Sequence, residues 1–550
     1  MRAAIALLCL LALPAAAAAP EPDVAARAGQ LIGLDFSAAE IDTLLPDLAD
    51  QLESFLTLRA LALPNAVPPA LVFDPRPVGW QAPAAAAPPR WSEPGRVSRP
   101  ASLETLAFAD LGTLGALLRS GAVSSTELTR LSLDRLERFD PELHCVITLL
   151  EERALAAAAR ADSELAAGRY RGPLHGIPYG VKDLLAVAGA PTTWGAAPYA
   201  DQVLDSTATV VRKLDAAGAV LVAKLSLGAL AWGDVWFGGT TRNPWRVEQG
   251  SSGSSAGSAS AVSAGLVPFA IGSETWGSIV SPCTRCGVTG LRPSFGRVSR
   301  EGAMALSWSM DKLGPIARSV EDCARVFDAI RGSGGPREAD AAVHDAPFPY
   351  APALDLRGLR IGYLADDFAG DYAGAAQDSA ALAVFRGLGV QLIPIALPDA
   401  PVASMAFLLS AEAATAFDGL TLSGRDDLLV RQGRFAWPNV FRAARYIPAV
   451  EYLEANRARW RLLQAMAELF AQVDVYLSPS FEGDNLLLTN LSGHPSVVLP
   501  NGFTEPDQPS SFTLVGRLDD EATLLGVAAA YERATDWHRR HPPAFDAAPR

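Results

Sequence analysis

The run "GSSGSSAGSASAVSAG" at residues 250–265 constrains this chain more than any other feature. It holds seven serines and no side chain larger than valine. Gly/Ser-rich sequence commonly forms a solvated, flexible linker. The residues just downstream argue otherwise. In "SASAVSAGLVPFAIGSETWGSIVSP" small residues at helical spacing lead to a glycine stop and then to the apolar strand "LVPFAIG". A second Gly/Ser turn, "GSETWGS", comes next, and Ser278 stands at the mouth of another helix. Two serine-bearing turns thus bracket one helix and one strand, a unit that can set the turns side by side. Backbone N–H groups near Ser278 would then be free to hold an anion. "GSSAG" at 253–257 also fits the G-x-S-x-G elbow, with Ser255 as nucleophile, but "TRNPWRVEQGSS" before it is not strand-like. A phosphate loop lacks its closing G-K-[ST].

The chain around this run is organised in three parts. Arg2, the apolar run Ala3–Leu13, Pro14 and an alanine tract have the pattern of a secretory signal peptide over residues 1–19, with a cut after Ala18 or Ala19. Residues 20–100 form an extension. Residues 21–73 are predicted helical, with Ser37 as N-cap of "SAAEIDTLLPDLADQLESFLTLRAL". The Pro/Ala-rich segment Asp74–Pro100 reads as a strap or linker. From residue 101 helices alternate with strands: "SSTELTRLSLDRLERFD" is a capped amphipathic helix, "HGIPYGVKDLL" a strand ending at Lys182, and "ATVVRKLDAAGAVLVAKLS" a helix, a glycine stop and a strand. This alternation predicts α/β layering, in which sites gather at loops beyond strand ends.

Composition excludes some functions. A net charge of −14 opposes binding to nucleic acid or to an anionic membrane surface. Past the signal four cysteines remain, Cys145, Cys283, Cys286 and Cys323. They are too few for a disulfide scaffold, and the C-x-x-C pair lacks the partners of a zinc site.

Only four lysines occur, Lys182, Lys213, Lys224 and Lys312, against an otherwise all-arginine basic set. A buried lysine can lose its proton and act as a base, which arginine cannot. Asp183 next to Lys182 offers the competing explanation, an ordinary ion pair. Six histidines give no evident triad; His494 in "SGHPSVVLP" precedes an apparent strand.

The residues "GSSAGSASAVSAGLVPFAIGSETWGSIVSPCTRCGVTGLRPSFGRVSREG" resemble the signature of the amidase signature family. "HGIPYGVKDLLAVAGAPTTWG" resembles its upstream lysine motif, and "TNLSGHPSVVLPNGF" with "DEATLLGVAAAYE" its C-terminal region. The likeness spans about residues 101–540. It implies a single large α/β domain over residues 101–550, a twisted mixed sheet flanked by helices on both faces. It also implies a Ser–cis-Ser–Lys triad: Lys182 as base, Ser254 as proton relay, Ser278 as the acylated serine, and Ser255 as a supporting hydrogen-bonder. The oxyanion would lie against the N–H groups of Thr275, Trp276 and Gly277. Such chemistry needs no metal and no organic cofactor. Lys182 must lose its proton near neutral pH, and bringing its pKa to ~7–8 costs on the order of 4 kcal/mol of desolvation.

The expectation is therefore an exported amidase, periplasmic or secreted, hydrolysing the C–N bond of a linear or cyclic carboxylic amide through an acyl-enzyme on Ser278. Its partner is a small-molecule amide. Nucleic acid and stable membrane association after signal cleavage are not expected, and a homodimer is left open. The chain departs from the family's commoner pattern where Trp276 replaces glycine, Glu274 aspartate, Val280 arginine and Ala256 glycine. An indole at 276 is expected to narrow or reshape the acyl pocket. Trp236, Phe237 and Trp308 are candidates for an aromatic substrate site, or for core packing. Two other readings stand beside this one: an esterase-like hydrolase using Ser255 and His494, and a catalytically inactive binding protein on the same fold. The family also contains amidotransferase subunits, a cytosolic role that an exported, acidic chain fits poorly.

Overall fold

The computed structural model describes residues 21–81, 87–336 and 338–546. The predicted signal segment, with Cys9, lies outside the described residues. One eleven-stranded mixed sheet organises the domain. In spatial order its strands are Val146–Leu149, Val220–Leu225, Pro178–Lys182, Phe269–Glu274, Lys312–Ala317, Thr289–Arg292, Ser496–Glu505, Gln508–Gly516, Val475–Pro479, Ile361–Leu364 and Ile393–Ile395. The central strands Pro178–Lys182 and Phe269–Glu274 run parallel, and every residue in both is buried. Lys182 and Glu274 close neighbouring strands; the loop beyond Glu274 carries the second serine turn, and the first follows the short strand Arg246–Gly250. Flanking helices cover the sheet.

The Gly/Ser run is a packed element. Ala256–Ser263 is an α-helix in which all eight residues are buried. Its serines tolerate burial because each donates to a carbonyl: Ser258 to Ile271 at 3.1 Å, Ser260 to Arg242 at 2.9 Å and Ser263 to Cys286 at 2.6 Å. Small side chains let the helix approach its neighbours at backbone distance. A Cβ at Gly257 would lie 2.4 Å from the Cys145 carbonyl oxygen and 2.5 Å from the Ser226 nitrogen. The strand that follows starts at Phe269, three residues later than "LVPFAIG" suggests. Pro268 has no N–H to give to a ladder.

Predicted helices form where capping and periodicity agree. Ser124 caps Ser125–Leu143 and Ser37 caps Ala38–Arg59, each through a capping box. The helical expectation for residues 21–73 is corrected beyond Arg59: the helices are Pro22–Leu31 and Ala38–Arg59, and an irregular strap follows. Pro64, Pro68 and Pro69 remove the donors a helix would need there. The four described cysteines are free and buried. Among the described residues no helix is long and apolar enough to cross a membrane.

Replacing Gly257 with alanine favours helix intrinsically by up to ~1 kcal/mol. The clash falls on backbone, which cannot yield, so overpacking dominates. Gly257→Ala is expected to destabilise the domain by about 2 kcal/mol, read as a lower urea midpoint.

Candidate active site

Lys182 ends its strand fully buried, and no carboxylate takes its charge. Its Nζ lies 2.7 Å from Ser254 Oγ, 2.9 Å from Ser273 Oγ, 3.2 Å from Ser255 Oγ and 3.4 Å from the Ser273 carbonyl oxygen. Burial pushes its pKa down to about 7, although the charges of Asp311 and Glu274 pull the other way. The ion pair with Asp183 that the sequence allowed does not form. Asp183 instead pairs with buried Lys224 at 2.6 Å and accepts both the N–H and the hydroxyl of Thr193. Lys224 also donates to the Pro191 carbonyl and to Thr192. Those bonds fix the 191–195 loop beside the site.

The first serine turn carries a cis Gly253–Ser254 peptide. It is anchored by Asp234, which accepts the Ser252 N–H at 2.9 Å. Ser255 donates its hydroxyl to the Ser273 carbonyl at 3.0 Å and accepts the Ser273 N–H at 3.1 Å. The Ser255 N–H donates to the Ser278 carbonyl at 3.1 Å, tying the two turns together. Ser278 is the more open member of the group, 8% exposed against 1% for Ser254 and 0% for Lys182. Among the described residues its hydroxyl has no hydrogen-bond partner, Ser254 included. Such bonds are often long before substrate arrives. The N–H groups of Thr275, Trp276, Gly277 and Ser278 are likewise without acceptors among the described residues.

Glu274 shapes this second turn. Its carboxylate accepts the Ile279 and Val280 N–H groups at 2.8 and 3.0 Å, and Arg292 and Asn490 at 2.7 and 2.8 Å. Burial alone would raise its pKa; Arg292 and the N–H donors outweigh that and hold it at about 2. The departures at 274, 276 and 280 are thereby accommodated. Arg292 partners Glu274, Val280 contributes its N–H and a buried apolar side chain, and Gly277 rather than Trp276 takes the positive φ, +82°. Trp276 is 44% exposed, with its indole toward solvent.

The aromatic candidates separate. Trp236 takes the packing alternative: it is buried, and its indole N–H donates to the His144 carbonyl at 3.3 Å. Phe237 meets it edge-on, with centroids 5.0 Å apart, and stays exposed. Trp308 is half-buried in the loop that ends at Asp311. Asp311 accepts the Thr275 hydroxyl at 2.5 Å. The Ser255–His494 pairing is not assembled. His494 stacks on Phe470, bonds Ser492 Oγ at 2.9 Å, and has its pKa pushed down to about 3 by burial. Sequence reasoning missed Ser273, Asp311, Arg292 and Asn490; nothing local distinguishes them, because their partners lie elsewhere in the chain.

Removing one member of the Asp183–Lys224 pair strands the other in the interior. Asp183→Asn is expected to cost about 3–5 kcal/mol of stability, and the double change with Lys224→Met to recover part of it, measured by urea denaturation.

Comparison with known proteins gives the family and the fold. The profile described as Amidase matches residues 127–488. A glutamyl-tRNA(Gln) amidotransferase subunit from Roseiflexus sp. (strain RS-1) is 36% identical over 475 residues, 78% of this chain and 96% of that protein. The native peptide amidase of Stenotrophomonas maltophilia superposes with a TM-score of 0.71 at 32% identity, covering 81% of this chain and 100% of its own. The 6-aminohexanoate cyclic dimer hydrolase, solved with substrate, gives 0.68 at 26% identity, covering 80% and 99%. The chain belongs to the amidase signature family and is an enzyme of amide C–N bonds.

Proposed function

We propose that the protein is an exported amidase that hydrolyses small carboxylic amides through an acyl-enzyme on Ser278. The observation that carries the mechanism is the buried Lys182 amine, 2.7 Å from Ser254 and with a pKa of about 7. A neutral Nζ lone pair takes the Ser254 hydroxyl proton while Ser254 takes that of Ser278, since a hydroxyl both donates and accepts. Ser278 Oγ then bonds to the amide carbon. The resulting oxyanion lies against the N–H groups of Thr275, Trp276 and Gly277, each worth some ~3 kcal/mol in the transition state. The relay runs backwards, the nitrogen receives the proton, the C–N bond breaks and the amine or ammonia leaves. Water, activated by the same relay, cleaves the ester to a carboxylic acid and restores Ser278. Export rests on the apolar run Ala3–Leu13 and the alanine tract after it.

The amidotransferase relatives favour a second reading, in which the chain serves a larger complex. Release of ammonia by the full chain alone from simple amides sustains the first reading; turnover seen only with an added partner sustains the second.

Because the base must be neutral, kcat/KM is expected to rise tenfold per pH unit below about pH 7 and to level off above it. Ser278→Ala and Lys182→Ala are each expected to lower kcat by at least ~10³-fold. A fluorophosphonate label found on the Ser255 peptide instead of Ser278 sinks the assignment.

A further inference from the structure

The strap after Arg59 lies before the family-matched residues, yet it reaches the loop that adjoins the active site. From Glu53 to Val72 every residue is exposed except Asn65. Asn65 lodges its amide against Ala305: Oδ1 accepts the Ala305 N–H and Nδ2 donates to the Ala305 carbonyl, both at 2.8 Å. The same Nδ2 donates to the Ala416 carbonyl at 3.3 Å. Eight residues on, the Phe73 ring stands 3.6 Å from the Arg459 guanidinium. Arg459, buried, donates to the Ser309 hydroxyl and carbonyl, both at 2.8 Å. The strap therefore holds one segment, residues 305–309, at both ends.

That segment adjoins both halves of the catalytic centre. Just before it, Met304 donates its N–H to the Leu184 carbonyl and Gly302 accepts the Ala186 N–H, next to Lys182. Its own Leu306 and Ser307 N–H groups donate to Asp311 Oδ2 at 2.8 and 2.9 Å, while Asp311 Oδ1 takes the Thr275 hydroxyl. Thr275 opens the turn that ends in Ser278. Trp308, half-buried, rides on the same segment.

We propose that Asn65 and Phe73 are positioning residues: the N-terminal strap clamps the 305–311 loop, and through Asp311 and Thr275 it sets the turn that presents Ser278 and the oxyanion donors. This rests on the assignment of Ser278 as nucleophile. The Asn65 bonds add little fold stability, since the residues around them are solvent-exposed, and Phe73 adds one edge-on contact with buried Phe295, centroids 5.1 Å apart. They carry orientation, and an ångström-scale misplacement remote from the chemistry costs up to about 10²-fold in rate.

The test uses the full chain and a small unbranched amide. Asn65→Ala and Phe73→Leu are expected each to lower kcat about tenfold, with KM changed less than about twofold and the thermal midpoint lowered no more than about 3 °C. Phe73→Trp keeps an aromatic face over Arg459 and is expected to restore most of kcat. Covalent labelling of Ser278 by a fluorophosphonate is expected to slow in parallel. Unchanged kcat and labelling rate in both variants overturn the clamp, as does a fall in kcat matched by general destabilisation without rescue by Phe73→Trp. Full activity of Ser278→Ala would instead overturn the nucleophile assignment, so the two failures are distinguishable.

Discussion

The site depends on an amine buried among oxygens that carry no charge. Lys182 has three hydroxyls and a carbonyl around Nζ and no carboxylate in contact. An ammonium there lacks a counter-ion, and desolvation favours the neutral amine. Lowering the pKa from about 10.4 to about 7 costs on the order of 4–5 kcal/mol at 1.36 kcal/mol per unit. The rest of the fold offsets that cost while denying Lys182 its nearest acids. Asp183 is turned to Lys224, and Glu274 is occupied by Arg292, Asn490 and two N–H groups.

Close backbone approach explains the Gly/Ser run. Around the turns backbone must come within hydrogen-bonding distance of backbone, and at Gly257 on the helix Ala256–Ser263 even a Cβ has no room. Its serines bring their own hydrogen-bond donors and direct them to carbonyls. The run that suggested a linker is buried throughout its helix, and its first half supplies Ser254 and Ser255 to Lys182. Ser278, the proposed nucleophile, lies outside it on the second turn, which the Ser255 N–H joins to the first.

Substitutions away from the family's commoner residues are absorbed by partners distant in the chain. Glu274 is one methylene longer than aspartate, and it reaches the Ile279 and Val280 N–H groups while meeting Arg292 on another strand. At position 280 valine gives its N–H to Glu274 and its side chain to the core. Trp276 is tolerated because the left-handed backbone falls on Gly277, so its indole faces solvent.

By itself the sequence determined the local elements and the identity of the chemistry. Capping boxes at Ser37 and Ser124, the strand that ends at Lys182, and the two serine turns are written in short stretches whose physics is local. The three ordered motifs named the family. Tertiary structure decided everything that depends on which distant groups share a buried volume. It assigned Asp183 to Lys224 rather than to its neighbour, gave Trp236 its packing role, and set Asn65 against Ala305. The reason is that desolvation and ion pairing act through space at a few ångströms, and no spacing along the chain encodes a contact between residues 240 positions apart.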